Sequence, residues 1–306
     1  MMQRPTSLLA ALLTALAGCQ SSDQLGPTKG TPAGERAAFA IAPPPGVVFA
    51  SFALTPAQFT TVHTGAVRGM SPSSLLSYLG SVKTKNGRAL LNLAGEARNP
   101  DGTFSLTTWK TLIDRYKGLN FTSYVTDGTL IGHFLIDEPH FQSRWGGKIV
   151  PQATVEAMAQ YSKQIWPNLI TVVNAPPSWL AAATIPYTHL DAGWAMYMSN
   201  MGSNTALWAS NQVAAAKRKG LGVFAGLNVL DGGNGSSGFH GNYPGKWAMS
   251  AAELRKYGTA IFAQTYVCGF AMWKYTSAYY DRADIKSAMA ELSLKARSHA
   301  KTSCRQ

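Results

Sequence analysis

Carboxylates are scarce in this sequence. Its 306 residues contain 15 Asp and Glu against 27 Lys and Arg, which gives a formal net charge of +12. The basic residues are scattered singly, except for the run Lys217-Arg218-Lys219 at the end of a predicted helix, where cations favour the helix dipole. The excess therefore indicates affinity for anionic surfaces or acidic polymers, and no nucleic-acid partner is predicted.

Several motifs that would define a catalytic class are also missing. There is no HExxH and no closely spaced pair of histidines, so a metal site built from His133, Asp137, His140 and His189 remains a minor alternative, and no metal or other cofactor is predicted. The glycine-rich stretch 232–245 lacks GK[ST], which disfavours a phosphate cradle. Lys274, a candidate Schiff-base lysine, is interpreted as a surface or substrate contact.

The amino terminus is predicted to be a targeting segment rather than part of the fold. Arg4 precedes the apolar run Leu8–Leu16, which is too short to span a bilayer. The tetrapeptide ending at Cys19 resembles the bacterial lipobox, which implies cleavage after residue 18 and lipidation of Cys19. Gln20 at the next position favours the outer membrane of a Gram-negative cell. The alternative is an ordinary signal peptide with an unrelated cysteine.

Strand and helix signals alternate along most of the remaining chain. Residues 19–45 are predicted to form a polar, proline-containing linker, residues 46–300 a single catalytic domain, and residues 301–306 a tail. Seven clear strands, together with a less certain segment at Ala66–Arg68, make eight. This alternation predicts an α/β fold, a (β/α)8 TIM-type barrel, with a doubly wound open sheet as the alternative. The barrel is expected to be a monomer.

Two cysteines remain once Cys19 is assigned to lipid. Cys268 opens a predicted strand and Cys304 follows the last predicted helix. In a barrel both positions belong to the amino-terminal face, so a disulfide between them is geometrically reasonable in an oxidising compartment. Two unpaired thiols are the alternative.

One stretch concentrates acidic residues at a strand end. The apolar run Leu130–Ile136 ends in Asp137-Glu138-Pro139-His140. An unpaired buried carboxylate is costly, and chemistry in parallel α/β folds is placed at the carboxyl ends of strands. The pair therefore predicts an acid–base centre, although a strand that simply runs into a polar loop would look similar.

The predicted locations of the carboxylates reduce the number of candidates for catalysis. Most lie in predicted helices, turns or the linker and are expected to be solvated. Six fall within or just after predicted strands: Glu96, Asp137, Glu138, Asp191, Asp231 and Asp281. Tryptophans near strand ends add surfaces on which sugar rings can stack. The predicted substrate contacts are Trp194, Trp273, Asn228, Glu96, Arg68, His140 and Tyr275.

Ile136-Asp137-Glu138-Pro139 after an apolar strand, the tryptophans and the closing segment Phe270–Trp273 together resemble the (β/α)8 glycoside hydrolases. In retaining members with two glutamates the proton donor ends strand four, which is the position of Glu138 if Ala66–Arg68 is strand two. Asp137 stands where those members usually have asparagine, and no glutamate ends strand seven, where Asp231 is the nearest acid.

The resemblance implies a glycoside hydrolase that acts on a poly- or oligosaccharide. Glu138 is predicted to be the general acid beside Asp137, with Asp191 or Asp231 as the partner carboxylate and Glu96 ranked next. The alternative is a surface lipoprotein that binds glycans without cleaving them, which an ion pair locking Glu138 to an arginine would favour.

Overall fold

A computed structural model describes residues 45–300 and Cys304 of the chain. The predicted leader, Cys19 and nearly all of the linker lie outside the described residues. Eight strands are present: β1 (Phe49–Phe52), β2 (Gly65–Gly69), β3 (Arg88–Asn92), β4 (Leu130–Asp137), β5 (Thr171–Asn174), β6 (Ala192–Tyr197), β7 (Gly222–Asn228) and β8 (Val267–Trp273).

Helices follow most of these strands. They are α1 (Pro72–Thr84), α2 (Leu106–Asp114), α3 (Thr122–Thr126), α4 (Gln152–Ile165), α5 (Pro177–Ala181), α6 (Thr205–Arg218), α7 (Ala251–Phe262), α8 (Ser277–Tyr280) and α9 (Ala283–Ser298). Between β1 and β2 there is only a 3-10 turn, Pro56–Gln58. Among the described helices, none combines the length and the apolarity needed to cross a membrane.

All neighbouring strands pair in parallel, and β1 also pairs with β8, so the sheet closes into a barrel. The (β/α)8 prediction is therefore confirmed, and the open-sheet alternative is wrong. The uncertain segment Ala66–Arg68 lies inside β2, which pairs with β1 and β3. Its burial against both neighbours, rather than its short sequence, makes it a strand.

Two apolar cores account for the packing. The larger lies between the strands and the surrounding helices and includes Leu79, Ile113 and Leu254. The smaller core consists of buried residues in the strands or just before them, together with Cys304. It therefore fills the barrel interior. Trp194 and Phe134 belong to this inner core, and their ring centroids are 5.6 Å apart.

The carboxyl end of the described chain covers the amino-terminal opening of the barrel. Cys304 forms a disulfide with Cys268, near the start of β8, with their Cα atoms 5.2 Å apart. A Cβ on Gly222, the first residue of β7, would lie 2.6 Å from the carbonyl oxygen of Cys304, so only glycine allows this approach. The crosslink thus holds residue 304 against the bottom of the barrel.

Replacing both Cys268 and Cys304 with alanine is expected to lower the free energy of unfolding by about 2–4 kcal/mol, because the crosslink restricts the unfolded chain. The two residues are 36 positions apart in sequence. Urea unfolding of the double variant, compared with the wild type under oxidising conditions, measures the difference. Equal unfolding midpoints and slopes would show that the crosslink contributes nothing to stability.

Candidate active site

A sharp turn of the backbone follows β4. Glu138 adopts a φ of +47°, which is unusual for a residue with a side chain. Its N–H donates to the carbonyl of Asn174 (3.0 Å). The indole N–H of buried Trp145 lies 3.3 Å from the carbonyl oxygen of Asp137 and 3.2 Å from that of Glu138. These contacts hold the strained turn in place. Strained backbone of this kind is often found at functional sites, where it positions a side chain.

Arg144, in the loop between β4 and α4, contacts three carboxylates. Its Nη2 lies 2.6 Å from Glu96 Oε1 and 2.7 Å from Asp137 Oδ2. Its Nη1 lies 3.5 Å from Glu138 Oε2, the longest of the three contacts. Arg98 adds a second cation, since both its Nε and its Nη2 donate to Glu96 Oε2. Glu138 is thus the least tightly paired carboxylate of the cluster.

Asp137 and Glu138 are both partly buried, but their polar contacts differ. Burial, and then the charge of Asp137, raise the pKa of Glu138 to about 7, against the smaller opposing effect of Arg144. Burial also raises the pKa of Asp137, but Arg144 and the side-chain amide of Asn174, which donates to Asp137 Oδ1 at 2.6 Å, favour its ionised form. Arg144 lies closer to Asp137 (2.7 Å) than to Glu138 (3.5 Å), and Asn174 donates to Asp137, so these contacts favour ionisation of Asp137 over that of Glu138.

Arg144 and Asn174 were not among the predicted site residues. Arg144 ends a single 3-10 turn, Gln142–Arg144, which is too short for the sequence to show a period that would position its side chain. Asn174 is the last residue of β5, and Asp137 is its register partner in β4. A polar residue at the end of the neighbouring parallel strand is a signal that could have identified Asn174.

Glu96 follows β3 and joins the cluster through the two arginines. Its side chain is 49% exposed, whereas that of Asp137 is 11% exposed. The structure therefore brings together Glu96, Asp137 and Glu138. Glu96 is the carboxylate of this set that water reaches most easily.

The prediction that Asp191 lies at the catalytic end of the barrel is wrong. β6 begins at Ala192, so Asp191 stands at the amino end of that strand, opposite Glu138. Its Oδ2 pairs with Lys163 in the last turn of α4 and accepts from the backbone N–H of Thr171 (2.8 Å). This buried carboxylate is fully used in joining α4 to the starts of β5 and β6.

Asp231 lies on the carboxyl side of β7, but its carboxylate serves the following loop. Oδ1 accepts from the backbone N–H groups of Asn242 (2.7 Å) and Tyr243 (3.1 Å), and Oδ2 from the Asn242 amide (3.3 Å). Asp231 is also buried, with only 7% of its surface exposed. The hydrogen bonds of this carboxylate therefore organise the loop that follows β7.

The two predicted tryptophan contacts have different locations. Trp194 is fully buried in the barrel interior between Phe134 and Phe224, so the prediction that it binds substrate is wrong. Trp273 ends β8, is half-buried, and packs its ring 4.7 Å from that of Phe52 at the end of β1. Trp273 is therefore an aromatic surface at the carboxyl-terminal opening.

The other predicted contacts are spread around that end of the barrel. Asn228 ends β7 and accepts from the N–H of Asp231, and Arg68 of β2 donates to the carbonyl of Ala53 (2.7 Å). The ring of His140 packs at a tilt against those of Phe141 and Trp179, and burial lowers its pKa to about 4. None of these three touches the carboxylate cluster through a hydrogen bond seen in the described residues.

Tyr275, His63 and Tyr280 line a separate cavity of about 480 Å³. This cavity lies against the connection between β1 and β2. The histidines of the metal alternative are likewise apart. Buried His133 forms a hydrogen bond with Ser162, and His189 forms one with Glu156. Within residues 45–300 and Cys304, no cluster of three or more His, Cys, Asp and Glu could hold a metal ion.

No protein-family model and no curated protein sequence matches this chain. Solved structures do. A β-glucanase from Saccharophagus degradans is 11% identical, with a TM-score of 0.56 over 83% of this chain and 89% of that one. An endocellulase from Pyrococcus horikoshii in complex with cellotetraose is 11% identical, with a TM-score of 0.51 over 82% and 92%.

A xylanase from Thermotoga petrophila in complex with xylobiose is also 11% identical, with a TM-score of 0.50 over 82% of this chain and 94% of that one. The structural neighbours are thus glycoside hydrolases with (β/α)8 barrels. At this identity the similarity is one of fold.

Proposed function

We propose that this protein is a glycoside hydrolase in which Glu138 is the general acid. The observation that carries the proposal is the adjacent pair at the end of β4. Arg144 and Asn174 favour the ionised form of Asp137, while burial and the charge of Asp137 raise the pKa of Glu138 to about 7. Glycoside cleavage requires one protonated and one ionised carboxyl group, and this pair supplies both.

Each carboxylate of the cluster has a distinct task in this proposal. Glu138 gives its proton to the leaving glycosidic oxygen. Asp137 is the aspartate partner, whose negative charge keeps Glu138 protonated and stabilises the positive charge that develops on the sugar ring. Glu96, which is half exposed and paired with two arginines, is the remaining carboxylate of the cluster able to activate water.

A sugar-binding surface lies at the same end of the barrel. Trp273 and Phe52, at adjacent strand ends, present aromatic rings suited to the apolar face of a pyranose. The cellotetraose and xylobiose in the neighbouring structures support a glycan as the substrate class.

A second candidate function is glycan binding without cleavage. Arg144 contacts all three carboxylates, and a cation among them would oppose catalysis if it stayed in place when a sugar bound. The 3.5 Å contact to Glu138 favours catalysis, because Glu138 is the carboxylate that Arg144 holds least.

The test is release of reducing ends from a panel of β-linked and α-linked polysaccharides and their oligosaccharides. Wild-type protein is expected to cleave at least one of them, and both Asp137→Asn and Glu96→Gln are expected to impair that cleavage. Binding of a glycan in affinity electrophoresis, without cleavage of any, would establish the non-catalytic alternative.

The pKa of Glu138 predicts the pH dependence of the reaction. Because the acid must be protonated, kcat/KM is expected to fall as pH rises through about 7. Replacing Arg144 with methionine removes a cation that lowers this pKa, so the fall should move to higher pH. Profiles of kcat/KM for both proteins give the measurement, and an unchanged alkaline limb would contradict the assignment.

The same shift affects stability. The folded state holds the Glu138 proton more tightly than the unfolded chain, whose pKa is the ordinary 4.5. The stabilising contribution of neutral Glu138 is complete below that value and is lost as pH rises to about 7.

A further inference from the structure

The excess positive charge of this protein is concentrated at one end of the barrel. Because each helix returns from the carboxyl to the amino ends of the strands, the last turns of the helices lie at the amino-terminal face. The cations in the last turns or at the ends of α1, α2, α6 and α9 define what we call the basic face: Lys83, Lys85, Arg115, Lys117, Lys217, Arg218, Lys219, Lys295 and Arg297.

Few acids offset this charge. Asp127 pairs with Lys83 and Asp114 pairs with Lys117, each at 2.8 Å. No described carboxylate forms a salt bridge with the other seven cations. At the end of α6, Lys219 donates to two backbone carbonyls and Lys217 lies over the ring of Tyr266, yet neither contact neutralises its charge.

At the opposite end of the barrel more of the cations are paired with acids, although Lys148, Lys246 and Lys274 form no salt bridge with a described carboxylate. There Arg98 and Arg144 are neutralised by Glu96 and Asp137, and Lys286 pairs with Asp281. The charge is therefore polarised along the barrel axis, with the positive end remote from the carboxylate cluster.

The shape of the basic face points to a planar partner. Its cations are distributed around the ring of helices, so a flat anionic surface can meet them together, whereas a rod such as duplex DNA meets only part of the ring. Leu294, 62% exposed beside Lys295, adds an apolar side chain at the edge of this face. Cations near an anionic lipid surface each add to membrane affinity.

The first described residues, which precede β1, also lie at the basic face. The N–H of Val47 donates to the carbonyl of Ala296 at the end of α9, and the carbonyl of Gly46 accepts from Arg88 (3.3 Å). A lipid on Cys19, predicted from the sequence, would be connected to the barrel through this face.

We propose that the basic face docks on a surface of anionic phospholipid, with the carboxyl-terminal end and its carboxylates directed away from the membrane. This interaction is independent of glycoside cleavage. It orients the barrel, so that the proposed active site faces the space in which polymeric glycans lie.

The test uses the full chain with Cys19→Ser, which removes lipidation, and sedimentation with vesicles of phosphatidylglycerol or phosphatidylcholine. Binding to phosphatidylglycerol is expected at an ionic strength of about 0.15 M. Neutralising Lys217, Arg218 and Lys295 with glutamine should weaken it on the order of 100-fold. The matched control replaces Lys148, Lys246 and Lys274, on loops at the opposite end, and should retain most of the binding.

Equal losses in the two triple variants would overturn the proposal, because net charge alone would then determine binding. Equal binding to the two lipids would overturn it too. Tighter binding to duplex DNA than to phosphatidylglycerol at the same ionic strength would assign the face to nucleic acid instead. Circular dichroism of each variant verifies that it is folded before its binding is compared.

Discussion

Replacing Glu138 with glutamine is expected to reduce kcat for glycoside cleavage by about 10²–10⁴-fold, the range that a positioned general acid contributes. Glutamine keeps the shape of the side chain and its contact near Arg144, but it has no proton to give to the leaving oxygen. Because substrate binding uses other side chains, KM should change little. The measurement is steady-state kinetics on the glycan that the wild type cleaves.

Two comparisons make this prediction specific. Glu291→Gln is the matched control, since Glu291 pairs with Arg255 on the outer helices and should keep full activity. A substrate with an activated phenol leaving group needs little protonation, so Glu138→Gln should lose much less activity on it. Equal activity of Glu138→Gln and wild type on an unactivated glycan would remove Glu138 from the mechanism.

Replacing Trp194 with alanine is expected to lower the free energy of unfolding by about 3–5 kcal/mol. The side chain is fully buried and packs against Phe134 and Phe224, and its loss leaves a cavity inside the barrel. Unfolding in urea, monitored by circular dichroism, measures the effect. The barrel interior cannot collapse easily around the gap, because each strand is held by hydrogen bonds on both sides.

Trp273→Ala provides the comparison. Trp273 is only half-buried at the end of β8, so its removal should cost less stability and weaken glycan binding more than removal of Trp194. A Trp194→Ala protein as stable as the wild type, with weakened glycan binding, would return Trp194 to the substrate contacts from which its burial excludes it.

Local patterns predicted several elements correctly. The apolar run before Asp137 is strand β4, and Glu138 directly follows it. Ser250 and Glu253 form a capping box at the start of α7, and both halves of that motif lie within one helical turn. Such features depend on residues close together in sequence.

The wrong predictions for Asp191 and Trp194 have the same physical cause, because strand boundaries and sheet register are set by tertiary pairing. An aspartate beside an apolar run is compatible with either end of a strand, and the boundary of β6 decided that Asp191 lies at the amino end. Trp194 faces the barrel interior rather than a ligand because of closure between β1 and β8 and the register of the sheet, which its own neighbours in sequence do not encode.

By itself, the sequence determined the alternation of strands and helices, the acidic pair at the end of a buried strand, and the scarcity of other candidate acids. Only the tertiary structure decided the partners of that pair. Glu96, Arg144 and Asn174 come from three different strand ends or loops, and they meet Asp137 and Glu138 because β3, β4 and β5 are neighbouring parallel strands. Short-range periodicity carries no information about such contacts, whereas burial and the neighbouring charge of Asp137 in the folded barrel raise the pKa of Glu138.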